Sequence, residues 1–198
     1  KSNIGGIFVS FTSSFANMHL HSTHSDGQFT PYQLVVLAKS LGYRGVVLSD
    51  HDVISGVSET MRVAKKIGIE SMSGVELSCQ QWGEGFHILG YDFDIENEEL
   101  NNFIKRLCKY RNDHTRALLE AGLSRGTLKG ITWEEVEKMN PENQWFCNDQ
   151  VCRAMVEKGL VHKEDWDSIS KINFSYDSPY AIPIQTVSVE EAVYYIRK

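Results

Sequence analysis

The sequence predicts an α/β fold, a layer or barrel with right-handed crossovers, joined to a helical lobe. Over the first ninety residues, short apolar runs alternate with helical stripes. One run, Val46-Val-Leu48, is apolar at every position, as strands buried on both faces of a parallel sheet are. After Tyr91 the strand signals stop and helical spacing takes over.

The opening stretch, Ile4-Gly-Gly-Ile-Phe-Val-Ser-Phe11 then Ser14-Phe-Ala16, reads as an extension feeding the first strand. A secretory signal is the weaker alternative, because two glycines break a short apolar run. Thr30-Pro31 caps and starts a helix whose stripe is Leu34, Val35, Ala38 and Leu41, stopped by Gly42. A second helix runs from about Gly56 to Ile67, with Val57, Met61, Ala64 and Ile67 on one face and Gly68 as its stop. Val75-Glu-Leu77 and Phe86-His-Ile-Leu89 are two further strands, with Trp82-Gly-Glu-Gly85 turning between them. Asp92, Asp94, Glu96, Glu98 and Glu99 suit the first turn of a long helix striped by Leu100, Phe103, Ile104, Leu107, Arg111, His114 and Leu118. Capping boxes at Thr132-x-x-Glu135 and Ser188-x-x-Glu191, with a helix from Asp149 to Lys158 between them, complete the pattern. The expected division is 1–96 for the strands and helices of the α/β part, 97–183 for an inserted helical or cap lobe, and 184–198 for a return to the first part.

Composition narrows the partners. The 198 residues carry a net charge of −6, with 41% hydrophobic and 23% charged residues, an ordinary globular balance. A pI near 5.6 argues against non-specific coating of duplex nucleic acid and leaves room for a nucleotide or strand end in a local pocket. The four cysteines form no C-x-x-C pair, so reduced thiols of a cytoplasmic protein are expected. No apolar run reaches the roughly 20 residues of a membrane span.

Five of the seven histidines fall between residues 19 and 87. His19 and His21 stand two apart on the expected first strand, so both leave one face and can converge on one ion. Asp26 follows in the adjoining loop, and His51 directly follows the buried strand. Glu76 interrupts an apolar strand, where a carboxylate is costly without a cation or hydrogen-bond partner. His87 lies in the fourth strand among apolar neighbours. Each group is expected at or just beyond the C-terminal end of a strand, where α/β barrels place their chemistry. Mixed imidazole and carboxylate ligation suits Zn²⁺, Mn²⁺ or Fe²⁺, and six ligands are too many for one tetrahedral ion. Two or three divalent transition metals are therefore expected. Such a site supplies a bridging hydroxide at neutral pH and clamps both attacking and leaving oxygens.

His19-Leu-His21-Ser-Thr-His-Ser25-Asp-Gly27, Ser49-Asp-His-Asp52, Ser73-Gly-Val-Glu76 and His87-Ile-Leu-Gly90 resemble, in order and spacing, the first motifs of the polymerase and histidinol phosphatase (PHP) family. The similar branch is that of small bacterial nucleoside 3′,5′-bisphosphate phosphatases and enzymes trimming RNA from the 5′ end. The resemblance implies a distorted (β/α)7 barrel, not closed within these residues, and a trinuclear metal centre. It makes His19, His21, Asp26, His51, Glu76 and His87 metal ligands, with Asp50 and Asp52 behind them orienting imidazoles. Three later ligands of the family, a histidine before proline and a late Asp-x-His, have no counterpart here. By length the chain is expected to be the N-terminal two-thirds of such an enzyme. Asn148-Asp-Gln150 and Asp177-Ser-Pro179 stand where relatives carry Arg-x-His and Gly-Lys-Pro, which leaves Arg153 as the candidate substrate-binding residue.

The function expected is hydrolysis of a phosphate ester in a nucleotide, nucleoside bisphosphate or oligonucleotide end. A metal hydrolase of another ester or an amide, and a non-catalytic or incomplete metal-binding fragment, stand as alternatives. Trp82, Trp145 and Phe146 are candidates to stack on a base, core packing being the competing role. His24 is expected beside the site, and His114 in the helix packing.

Overall fold

The computed structural model describes residues 15–198; the leading extension therefore lies outside the described residues. The chain opens with β1 (Ala16–Asn17), paired in parallel with β2 (Gly45–Val46). The pairing outlasts these short strands: Val47 donates to Asn17 and Ser49 to Leu20 across one edge. On the other edge Glu76 donates to Asp50 and Asp52 to Glu76. This ragged parallel layer is crossed over by α1 (Pro31–Ser40) and α2 (Val57–Ile67). Val35, Ala38, Val46, Val63 and Ala64 are buried between helices and layer. Thr30 and Gln33 form a full capping box on α1, and Gly42 at φ 80° ends it. Leu41, expected on the buried stripe, is 64% exposed, because the helix has already ended at Ser40.

β3 (Gly74–Gln81) and β4 (Glu84–Tyr91) form an antiparallel hairpin. Its two-residue turn, Trp82-Gly83, has both residues at positive φ, the turn that matches the twist of paired strands. α3 (Glu98–Arg125) lies along the hairpin with its first half, where Leu100, Phe103, Ile104 and Leu107 bury against Val75, Leu77 and Cys79. Its second half packs against α4 (Trp133–Met139), α5 (Asn148–Glu157) and α6 (Trp166–Asn173) around Leu119, Val136, Val151 and Met155. α7 (Val189–Ile196) returns to the hairpin, with Ile196 against Gly90.

The boxes at Thr132 and Cys147 are complete. The one expected at Ser188 is half made: Ser188 accepts from the Glu191 amide, while the Glu191 side chain goes to Arg106. The described residues form two-stranded sheets and no closed sheet. No helix among them is long and apolar enough to cross a membrane.

Candidate metal centre

The expected first strand carries a local irregularity. Between its bonds from Val47 and Ser49 it advances from Asn17 to Leu20, three residues against two, so a bulge lies where the histidines begin. Tyr91 donates its hydroxyl to the Met18 carbonyl at 2.8 Å and holds that bend. His19 and His21 still converge, with both Nε2 atoms reaching Glu76 Oε2, at 2.9 and 3.0 Å.

The loop after His21 is shaped by one buried carboxylate. Asp50 accepts from the Ser22 amide (2.6 Å), the Ser22 hydroxyl (2.7 Å) and the Ser25 hydroxyl (2.6 Å). Gly27 closes the loop: a Cβ there would lie 2.1 Å from the His21 carbonyl oxygen, so no other residue fits. Asp26 is thereby turned back toward His21 and His51. From the helical side, Asn143 and Gln150 donate to the Ser25 carbonyl, and Gln144 and Trp145 donate to that of His24. His24 itself bonds Ser55 through Nδ1 at 2.7 Å.

The structure brings all six predicted ligands together, in three overlapping triads: His19, His21 and Glu76; His21, Asp26 and His51; His51, Glu76 and His87. His21 reaches Glu76 with one ring nitrogen and Asp26 with the other, at 3.0 and 3.2 Å. His51 does the same at 3.6 Å to each. His87 Nδ1 lies 3.0 Å from Glu76 Oε1. The Nδ1 atoms of His21 and His51 are buried without a hydrogen-bond partner. Buried nitrogens facing carboxylate oxygens, close but not aligned for hydrogen bonding, are a donor set that a divalent cation satisfies.

Electrostatics favour the ligating forms. Burial holds the His51 ring down at about 4, so at neutral pH it is uncharged with a free lone pair. Desolvation pushes the Asp26 carboxyl up, but the neighbouring His21 and His51 rings outweigh it and bring it to about 2. Glu76 is likewise lowered, its desolvation outweighed by His19, His51 and His87.

Several expectations need correcting. Glu76 is the third residue of the eight in β3, and His87 the fourth of β4, not strand-end positions. The parallel pairing ends at Glu76, however, and the rest of β3 leaves that layer as a hairpin arm. His87 is 48% exposed rather than set among apolar neighbours, because α7 covers β4 only toward its Gly90 end. Neither aspartate bonds an imidazole: Asp50 pins the Ser22–Ser25 loop, and Asp52 accepts from the Ser78 amide (2.8 Å) and Trp145 Nε1 (3.1 Å). Burial raises both carboxyls. Trp145 is no base-stacking surface, because it is buried and stacked on His51 with ring centroids 4.9 Å apart. Phe146 is core, against Trp133, while Trp82 is exposed at the hairpin tip. Arg153 bonds Asn140 at 3.4 Å within the helical part, and its charge acts on Asp149, a carboxyl that also feels Asp26. His114 is buried as expected and bonds the Ile182 carbonyl. Trp145 as the backing of His51 was missed in its true role; its partner Asp52 is 93 residues away, and no local spacing signals that contact.

Comparison with known proteins gives the same direction. A sequence-family model described as PHP domain matches residues 17–162. The chain is 45% identical over 89 residues to a 5′-3′ exoribonuclease of Haemophilus influenzae, covering 45% of this chain and 32% of that protein. It is 28% identical over 184 residues to a 3′,5′-nucleoside bisphosphate phosphatase of Chromobacterium violaceum, covering 91% and 62%. A metal-dependent phosphoesterase structure from Bifidobacterium adolescentis superposes with a TM-score of 0.80 at 26% identity, over 93% of this chain and 64% of that one. An amidohydrolase structure from C. violaceum, holding sulfate and no metal, gives 0.76 at 26% identity, over 93% and 63%. The chain thus spans less than two thirds of each of these proteins.

Proposed function

Because the chain belongs to the PHP family, we propose that it is a metal-dependent phosphoesterase acting on a nucleotide, a nucleoside bisphosphate or an oligonucleotide end. The observation that carries this is the set of three triads sharing Glu76, His21 and His51. His19, His21, Asp26, His51, Glu76 and His87 would hold two or three divalent ions of the Mn, Zn or Fe kind. Such ions supply Lewis acidity toward phosphoryl oxygens and lower the pKa of a water nucleophile. The chain's own residues do the positioning. Asp50 and Gly27 fix the loop that presents Asp26, and Asp52 with Trp145 fixes the plane of the His51 ring. Residues 97–183 would act as a cap lobe on a (β/α)7-type barrel begun by 1–96 and rejoined by 184–198. Four free thiols fit a reducing compartment such as the cytoplasm.

The test is phosphate release by the natural full-length polypeptide supplied with Mn²⁺, Zn²⁺ or Fe²⁺. Substrates are adenosine 3′,5′-bisphosphate, simple phosphomonoesters and 5′-phosphorylated oligoribonucleotides. Release that is lost with chelator supports the proposal; bound metal with no phosphoester turnover refutes it. The amidohydrolase neighbour makes amides the second substrate class to assay.

A further inference from the structure

The strap between α4 and α5, residues 140–147, runs between the long helix and the loop that carries Asp26. On one side α3 holds it. Asn112 donates to the Gln144 carbonyl and accepts from the Phe146 amide, and Thr115 donates to the Phe146 carbonyl, each at 2.8 Å. On the other side the strap grips residues 23–25. Gln144 and Trp145 donate their amides to the His24 carbonyl at 3.1 and 3.3 Å, and Glu142 accepts from the Thr23 hydroxyl at 2.7 Å. Asn143 donates to the Ser25 carbonyl.

Gln150, in the first turn of α5, completes the grip. It is fully buried, and its Oε1 accepts from the Cys147 amide at 2.8 Å, which turns Nε2 toward the same Ser25 carbonyl. That carbonyl belongs to the planar peptide that leads into Asp26, so two amide side chains of the helical part fix the plane from which Asp26 departs. The same strap carries Trp145, stacked on His51. Two members of the His21, Asp26 and His51 triad are therefore held from the helical part. Among the described residues the strap makes no hydrogen bond to His19, Glu76 or His87.

Resting on the metal-dependent reading, we infer that Gln150 and Asn143 are positioning residues for Asp26. Through them the strap couples the ion at His21, Asp26 and His51 to docking of the helical part. The coupling is reciprocal: an ion there tightens the strap by the factor by which the docked strap tightens the ion. The position at His19, His21 and Glu76 lies outside this coupling. The protein thus has two classes of metal position, one assembled within the α/β part and one completed from the helical part.

The experiment compares wild type, Gln150→Met, Asn143→Ala and Thr132→Ala in the natural full-length polypeptide. Gln150→Met keeps the length of the side chain and loses the donor. Asn143→Ala changes a strap residue outside any helix, so it serves even if Gln150→Met does not fold. Thr132→Ala removes the α4 cap, which bonds Glu135 and not the strap. One readout is calorimetric titration with Mn²⁺, and the other is hydrogen exchange of residues 140–147 by mass spectrometry, with and without Mn²⁺. Gln150→Met is expected to weaken one class of ion about 10- to 100-fold, as loss of a group orienting a ligand does, and to leave the other unchanged. Asn143→Ala should weaken the same class by less, and Thr132→Ala neither. Mn²⁺ should slow exchange of the strap in wild type, and do so less in the two strap variants. Equal weakening of every ion, a loss as large in Thr132→Ala, or strap exchange indifferent to Mn²⁺ in wild type would overturn the inference. No Mn²⁺ binding by wild type would overturn the metal centre and the inference with it. Absence of phosphoester turnover with this binding pattern intact would instead refute the catalytic reading alone.

Discussion

Replacing Glu76 by Gln tests the metal centre most directly, because Glu76 belongs to two of the three triads and Asp26 supplies the other carboxylate. An ion present at about 100 times its Kd stabilises the folded state by about 2.7 kcal/mol. At about 2–4 °C per kcal/mol for a domain of this size, each ion raises Tm by roughly 5–11 °C. Glu76→Gln leaves only His21, Asp26 and His51 as a complete triad. The metal-induced rise in Tm should therefore fall by up to two such increments. The assay is thermal unfolding of each protein with Mn²⁺ or Zn²⁺ and again with chelator, so that the variant's own stability cancels. Glu70→Gln is the control, since Glu70 is exposed and pairs only with Arg44. If Glu76→Gln showed the full wild-type rise, the cation would be elsewhere and the reasoning from the triads would fail.

Other perturbations test the supports. Trp145→Phe keeps the stack on His51 but leaves the buried Asp52 one hydrogen bond short, a loss of about 1–3 kcal/mol that denaturant titration would read as a lower midpoint. An unchanged midpoint would mean that this bond contributes nothing. Gly27→Ala must push the loop off the His21 carbonyl, so metal affinity by calorimetry should drop more than about tenfold while far-ultraviolet dichroism stays native. Cys108 and Cys147 are pushed up to about 12 by burial, so both remain thiols at pH 8. Ellman's reagent should therefore label these half-buried thiols more slowly at pH 8 in the native protein than after unfolding; equal rates would contradict their raised values.

Much of the centre was legible because its residues break local rules. Glu76 in an apolar strand and two histidines two apart are each costly or conspicuous without a shared ion, and the chain brings them within 3.0 Å. The supports were not legible. Asp50 and Asp52 are adjacent in sequence to His51, which suggests direct contact, yet the bend of the chain sends one to Ser22 and Ser25 and the other to Trp145. Leu41 had the right spacing for its stripe, but spacing does not show that the helix has already stopped.

By itself, then, the sequence determined the α/β beginning, the helical continuation and the six residues that converge, because periodicity, caps and buried charge are properties of short stretches. Only the tertiary structure decided that Trp145 belongs to His51 and not to a substrate base. It also set the guanidinium of Arg111 5.3 Å from the same Trp145 ring. Those outcomes depend on which side chains from distant segments compete for one buried carboxylate or one cavity wall. That competition is settled by packing in three dimensions, where neighbours in space are separated by up to 125 residues of chain.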